Sequence, residues 1–173
     1  MISKKMEASL NEQLNKELYS AYLYLSMAGY SYFCGLNGFA NWFNVQLQEE
    51  LMHAKKFYDY IHQQASKIVL KSIDEPPKDF LGSSDLFEKT LEHEKKVTKR
   101  INDLANLARK DGDHATEAFL QWFIMEQVEE ESSAAEILQR LNLVGKDGTG
   151  LLTIDSQLAA RVFVPPQSSK PVA

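Results

Sequence analysis

The scarcity and grouping of glycine and proline constrain the fold of this chain more than any other feature. The chain has 8 glycines and 5 prolines among 173 residues, and most of them fall in a few short segments. Between these segments run four long stretches that are largely free of both residues, and then a shorter fifth one. Such stretches are typical of long α-helices. The sequence therefore predicts an all-α protein.

The connections between the predicted helices indicate a four-helix bundle. A short loop, residues 34–38, joins the first two helices, which therefore pack antiparallel. Residues 67–82 contain Pro76-Pro77 and are long enough for a crossover along the bundle, which makes the second and third helices parallel. Ser83 or Ser84 is the predicted cap of the third helix. The predicted helices are Ser3–Phe33, Phe39–Ser66, Ser83 or Ser84 to Lys110, His114–Leu143, and a short C-terminal one within Leu151–Val162.

We expect one domain over residues 1–163 and a disordered tail over residues 164–173, where Pro165-Pro166 and a Ser-Ser-Lys-Pro sequence occur. The net charge of −5 and the scattered basic residues argue against nucleic-acid binding and suit cationic cargo. Cys34 is the only cysteine, so an intrachain disulfide or a cysteine-based zinc or iron–sulfur site is excluded. The charged start and the lack of an 18-residue apolar run predict a protein of the reducing cytoplasm that is neither exported nor embedded in a membrane.

Polar residues interrupt the apolar stripe of every long predicted helix. Each stripe advances in steps of three and four, the spacing that keeps one face toward the bundle core. The interruptions lie roughly 15 to 24 Å from the helix starts at 1.5 Å per residue, near the middle of the bundle. Every helix therefore directs a carboxylate inward. The interrupting residues are Glu17 in the first helix, Glu50 and His53 in the second, Glu94 in the third, and Gln127 and Glu130 in the fourth.

These residues repeat along the chain. The same offset of 77 residues separates Glu17 from Glu94, and it also separates the pair Glu50 and His53 from the pair Gln127 and Glu130. The two halves of the bundle thus present a Glu and an i, i+3 motif twice, as Glu-x-x-His and then as Gln-x-x-Glu. This pattern predicts a pseudo-two-fold pair of unequal metal sites.

Physical chemistry favours metal binding at this place. A single Glu on an apolar stripe is usually a misjudged helix face, but four carboxylates at one depth are difficult to explain in that way. Buried carboxylates cost many kcal/mol to desolvate and repel one another, and divalent cations remove both problems. Carboxylates with one imidazole and no thiolate suit ferrous iron. Glu50 can bridge two metal ions.

Several nearby residues have two interpretations. Tyr24 lies two turns from Glu17 and is either a hydrogen-bond or electron donor to the site or ordinary core packing. The carboxylates adjacent to the core ligands in sequence form either a solvated face or an outer cation site. His62, His93 and His114 are assigned to the surface. The flanking carboxylates of the possible outer site are Glu49, Glu126 and Glu129.

With these residues the sequence resembles the non-haem bacterial ferritins from Met6 through the short fifth helix, including their Glu-x-x-His ligand scheme. The resemblance implies a first iron site, a second one that shares a ligand with it, and a third found in bacterial members. It also places Tyr24 near the centre. The implied ligands are Glu17, Glu50 and His53 for the first iron; Glu50, Glu94 and Glu130, with Gln127 beside them, for the second; and Glu49, Glu126, Glu129 and the shared Glu130 for the third.

Departures from sister families narrow the resemblance. Bacterioferritins carry a haem-ligating Met directly after the second-helix Glu and a second Glu-x-x-His, whereas this chain has Leu51 and Gln127-x-x-Glu130. Haem is therefore not expected. Rubrerythrins add a cysteine-rich module, which one cysteine excludes. The family also implies a hollow shell of 24 subunits that stores ferric oxyhydroxide, with the fifth helix near the four-fold axes.

The leading hypothesis is a ferroxidase that binds two Fe(II) ions, oxidises them with dioxygen or peroxide, and passes Fe(III) to a mineral core. One alternative is a di-iron oxidoreductase acting on an organic substrate or peroxide, although the Phe, Tyr and Leu side chains along the stripes suggest no substrate cavity. The other alternative is a structural helical module that binds no iron.

Overall fold

The computed structural model of the chain describes residues 2–165, which form five α-helices. The first two helices are antiparallel, and the third and fourth form a second antiparallel pair. Within the described residues, no helix is both long and apolar enough to cross a membrane. The all-α bundle predicted from the sequence is confirmed. The helices are α1 (Lys4–Phe33), α2 (Asn37–Gln63), α3 (Ser83–Asp111), α4 (His114–Val144) and α5 (Gly148–Leu158).

Two asparagines of α1 hold the start of the long crossover. Asn11 donates to the carbonyl oxygen of Lys67 at 2.9 Å and accepts from the Val69 amide at 2.6 Å. Asn15 makes the same pair of contacts one step further along, with Val69 and Lys71. Further on, Tyr30 donates to the carbonyl oxygen of Phe80. The crossover therefore runs along α1 from its N-terminal to its C-terminal end, which makes α2 and α3 parallel as predicted.

The predicted serine cap of α3 is wrong. Gly82 occupies the cap position with a φ of +120°, a conformation that side chains rarely adopt, and Ser83 and Ser84 lie inside the helix. Asp85 in the first turn accepts from the amide of Leu81, the residue before the cap, at 2.9 Å.

Two apolar clusters fill the bundle, one on each side of a polar layer. One contains Leu10, Phe57 and Phe123, and the other contains Phe39 and Phe87. Nearly all of the predicted stripe positions are buried, and the partly buried Leu91 of α3 is the exception. The stripes thus identify the inward face of each long helix and the polar layer between the clusters.

Helix α5 docks on the start of α2 and begins earlier than predicted. The side chain of Asp147 accepts from the amides of Thr149 and Gly150 at 3.1 Å, so α5 starts at Gly148 and its first glycines are helical. Asp155 then accepts from the amides of Gly38 and Phe39 at 2.8 and 3.0 Å. A Cβ at residue 38 would lie 1.6 Å from the backbone oxygen of Asp155, so this contact requires glycine. The predicted tail, residues 164–173, falls almost wholly outside the described residues.

Candidate metal centre

All six polar interruptions meet in the layer between the two apolar clusters. Each side chain is buried, with exposed fractions between 1% and 6%. Helix periodicity brings them inward from four directions, because positions three, four or seven apart share one face. The polar side chains of this layer are Glu17, Glu50, His53, Glu94, Gln127 and Glu130.

The first three predicted ligands form a compact group. Glu17, Glu50 and His53 each offer one ligand atom, and these atoms lie within 4.8 Å of one another. Glu17 Oε2, Glu50 Oε2 and His53 Nε2 are buried and lack hydrogen-bond partners. Burying polar atoms without partners is costly, whereas a cation bound among them would satisfy all three. The donor set of this group therefore fits a divalent metal ion.

The predicted ligands of the second metal ion, Glu94 and Glu130, are arranged differently. Glu94 accepts hydrogen bonds from the Tyr24 hydroxyl and from Gln127 Nε2, the latter at 3.1 Å. Glu130 accepts from Gln46 Nε2 at 2.8 Å. Within residues 2–165, Glu94 belongs to no compact group of possible metal ligands. The carboxylates expected to hold a second ion are thus engaged with neutral donors.

A second compact group crosses the expected boundary between the inner and outer sites. His53, Glu126 and Glu130 offer ligand atoms within 4.8 Å of one another, and His53 Nε2 lies 3.9 Å from Glu126 Oε1. The other two residues of the expected third site stay outside this group. Glu49 is partly buried and pairs with Arg161, and Glu129 is exposed. The structure therefore brings one of the three flanking carboxylates to the inner ligands.

The titration of these groups depends on their burial and on one another. Burial and the neighbouring Glu94 and Glu49 carboxylates raise the pKa of Glu130 to about 8. Burial also raises the pKa of Glu50 well above its ordinary value, although the adjacent His53 opposes the shift. For His53 burial lowers the pKa, but the nearby carboxylates of Glu126 and Glu50 outweigh it and the net pKa is well above normal. In the absence of a cation the centre therefore retains protons that a bound cation displaces.

Tyr24 touches the centre through Glu94. Its ring is fully buried and stacks on Phe43 with ring centroids 6.0 Å apart. Burial and the Glu94 carboxylate raise the pKa of the Tyr24 phenol well above its ordinary value. The hydroxyl therefore stays protonated as a donor to Glu94.

The surface assignment of His93 is wrong. His93 is 8% exposed, its Nε2 lies 2.8 Å from Ser20 Oγ, and its ring meets that of Tyr24 edge-on. Burial, together with the charges of Arg100 and Lys96, lowers its pKa to about 4, so the ring is neutral. The other two histidines are exposed as predicted. His93 directly precedes the inward Glu94 in α3, and its ring contacts Ser20 and Tyr24 of α1.

Four polar residues near the centre received no role from the sequence. Gln13 and Gln46 each precede a ligand by one helical turn. Gln13 donates to Glu17 at 2.7 Å, and Gln46, one turn before Glu50, donates to Glu130. Thr98 follows Glu94 by a turn, accepts from Gln127 at 3.3 Å and donates to Glu131 at 2.5 Å, in the wall of a cavity of about 300 Å³. Spacing of i, i+4 was the signal available for these three. No spacing of this kind indicated a role for Arg161.

The fold and the centre together define a class of protein: a four-helix bundle that can bind metal ions through carboxylates and an imidazole. The family model described as the ferritin-like domain matches residues 7–144. A non-heme ferritin of Staphylococcus epidermidis is 41% identical over 163 residues, which cover 94% of this chain and 98% of that protein. One from Staphylococcus aureus is 37% identical over the same shares.

Solved structures give the same result. An engineered closed form of the Archaeoglobus fulgidus ferritin has a TM-score of 0.93 and 48% identity, covering 95% of this chain and all of that one. A humanized archaeal ferritin has a TM-score of 0.94, with the same identity and coverage. The chain therefore belongs to the ferritin family.

Proposed function

We propose that this chain stores iron and that it oxidises Fe(II) at the mid-bundle centre before storage. The observation that carries the proposal is the group formed by Glu17, Glu50 and His53, whose buried ligand atoms lack hydrogen-bond partners. Relatives named bacterial non-heme ferritin, similar over nearly the whole chain, support the storage role.

In this proposal Glu17 and His53 hold the first Fe(II) and Glu50 bridges to the second. Glu94 and Glu130 hold the second ion, with Gln127 beside it. Because these two carboxylates accept hydrogen bonds from Tyr24, Gln127 and Gln46, the second ion competes with those donors for carboxylate lone pairs.

The oxidant accepts one electron from each Fe(II) and is dioxygen or peroxide. The carboxylates neutralise the added positive charge of Fe(III), which lowers the barrier to oxidation. Protons held by Glu50 and Glu130 leave as the ions bind. We further propose that Glu126, with Glu49 and Glu129, forms an outer third iron site from which Fe(III) passes to the mineral. Haem has no part in this scheme.

We propose that 24 copies assemble into a shell around the mineral, that residues 1–163 form the repeating domain, and that the protein works in the cytoplasm. A surface between α1 and α2 supports self-association, because it exposes several large apolar side chains beside a cavity of about 200 Å³. The exposed fractions there are Leu25 46%, Leu51 48%, Tyr58 41% and Leu70 62%.

Stopped-flow measurement of Fe(II) oxidation tests the ferroxidase role. The double variant Glu50→Ala, His53→Ala should oxidise Fe(II) more than about 100-fold more slowly, since loss of supporting residues alone costs metal sites 10- to 100-fold. The control replaces the exposed Glu88 and His62 by alanine and should keep the wild-type rate. Undiminished oxidation in the first variant would rule out this centre.

Size-exclusion chromatography after iron loading tests storage. A large particle that elutes with its iron supports the proposal. A small iron-containing species would favour a di-iron oxidoreductase, and an iron-free species would favour a structural module.

A further inference from the structure

An arginine from beyond α5 reaches back to the outer edge of the metal centre. Arg161 Nη2 lies 2.7 Å from Glu49 Oε2, and the two side chains are 25% and 19% exposed. This is a charge-assisted hydrogen bond in a largely buried place, where ion pairs are screened less than on the surface.

The arginine is held on α2 independently of Glu49. Its guanidinium lies 4.7 Å from the centre of the Trp42 ring, and Nη1 donates to the Trp42 carbonyl oxygen at 3.4 Å. Asn41 donates to the carbonyl oxygens of Arg161 and Leu158 at 2.9 and 3.1 Å. Backbone and side chain are both anchored, so the guanidinium is a fixed positive charge.

This charge distinguishes Glu49 from Glu126. Among residues 2–165, Glu126 forms no ion pair with an arginine or lysine, and it faces His53 Nε2. A cation that approaches Glu49 must either share its carboxylate with the guanidinium or displace it, and two like charges a few ångströms apart repel. Glu49 therefore has a permanent positive charge in direct contact at 2.7 Å, whereas the only basic group in the described ion pairs of Glu126 is the His53 imidazole, 3.9 Å away.

We propose that Arg161 is a positioning residue that sets how strongly the outer site binds cations, by acting as the permanent counter-charge of Glu49. This inference rests on the proposed iron function. The outer site then binds cations weakly, because Arg161 cancels much of the attraction that the Glu49 carboxylate would otherwise exert on a cation there. The segment after α5 thus controls the site where ions leave the inner centre.

Calorimetric titration of the assembled, metal-free protein with Zn²⁺, which undergoes no oxidation, tests the proposal. Arg161→Gln should tighten the weakest cation site on the order of tenfold, because one nearby positive charge is gone. Arg161→Lys should keep the wild-type affinity. Arg140→Gln is the matched control, because it also removes one positive charge. Arg140 donates to Gln157 of α5 rather than to a carboxylate, so this variant should keep the wild-type affinity. Thermal melting of each variant checks that it is folded.

A second comparison isolates the role of Glu49. In a Glu49→Gln background, Arg161→Gln should no longer tighten the site. An outer site that appears only in Arg161→Gln would also support the proposal. Equal affinities in wild type and Arg161→Gln, or no outer site in either, would overturn it. If the proposed iron function is wrong, the titration of the wild-type protein should instead show no tight inner site.

Discussion

The two halves of the bundle present similar ligands in opposite states. In the α1–α2 half, the free atoms of Glu17, Glu50 and His53 are buried without hydrogen-bond partners. In the α3–α4 half, Glu94 and Glu130 accept hydrogen bonds from neutral side chains. Gln13 satisfies only one oxygen of Glu17. The first half therefore keeps three buried atoms that a bound cation would satisfy, whereas no atom of Glu94 or Glu130 is buried without a partner.

This difference predicts the order in which two ions bind to the pseudo-symmetric site. An unsatisfied buried polar atom costs about 1–3 kcal/mol, which the first ion removes. A second ion would instead compete with hydrogen bonds that each contribute about 1 kcal/mol. We therefore expect the α1–α2 half to bind first and more tightly.

The largest effect should come from removing one carboxylate charge from each half in turn. Glu17→Gln should weaken the first Fe(II) more than about 100-fold, because it strips an unsatisfied ligand from the tight half. Glu94→Gln should weaken only the second ion, about tenfold. Anaerobic Fe(II) titration of both variants measures the two steps, and equal losses in both would contradict the ordered loading.

The stability of the metal-free protein should depend on Glu130 in a pH-dependent way. Its pKa is about 8 when folded against an ordinary value of 4.5, so the folded state binds the extra proton. The contribution of Glu130 to the free energy of unfolding is therefore complete below pH 4.5 and is lost as the pH rises through 8. Glu130→Gln cannot ionise and should be more stable than wild type by about 2 kcal/mol at pH 8, because the charged form no longer has to be buried. Denaturant unfolding at pH 8 and pH 4.5 checks this, and a gain that is the same at both pH values would refute it.

Making the halves alike should remove much of their difference. The double variant Gln127→Glu, Glu130→His gives α4 the Glu-x-x-His motif of α2 and replaces two hydrogen-bonded groups with free ligands. The second ion should bind about tenfold more tightly, which corresponds to 1.4 kcal/mol. Gln121→Glu with Glu136→His, two exposed changes of the same kind on the same helix, is the control. The same anaerobic titration applies, and an unchanged second step would show that hydrogen bonding does not separate the halves.

The smallest effect should come from Tyr24→Phe. Loss of the hydroxyl frees one lone pair of Glu94 and should strengthen the second ion about threefold, since one hydrogen bond contributes about 1 kcal/mol or less. The first ion should be unaffected. Weaker binding of the second ion would mean that Tyr24 orients Glu94 for the metal rather than competing with it.

The sequence predicted the architecture and the polar layer because both follow from helical periodicity. An inward position repeats every three or four residues, so Glu17, Glu50, His53, Glu94 and Glu130 could be placed inside before any contact was known. The 77-residue offset also indicated unequal halves, although it expressed the inequality only as Gln127-x-x-Glu130.

What distinguishes the halves physically could not be predicted in this way. The Tyr24–Glu94 contact depends on how two side chains turn across the bundle, and periodicity does not specify rotamers. His93 lies at the edge of its helix face, where one step decides between burial and exposure. The Arg161–Glu49 pair joins residues 112 apart through the docking of α5, and no local pattern encodes it.

The contact of α5 with the start of α2 has a consequence for the order of folding. Leu36 provides no side-chain cap for α2, and the amides of Gly38 and Phe39 find their acceptor in Asp155, 117 and 116 residues further along the chain. During synthesis on the ribosome, the first turn of α2 therefore stays uncapped until α5 has emerged and docked. Hydrogen exchange at these two amides would report the docking of α5, and Asp155→Ala should leave them unprotected in a bundle that is otherwise folded.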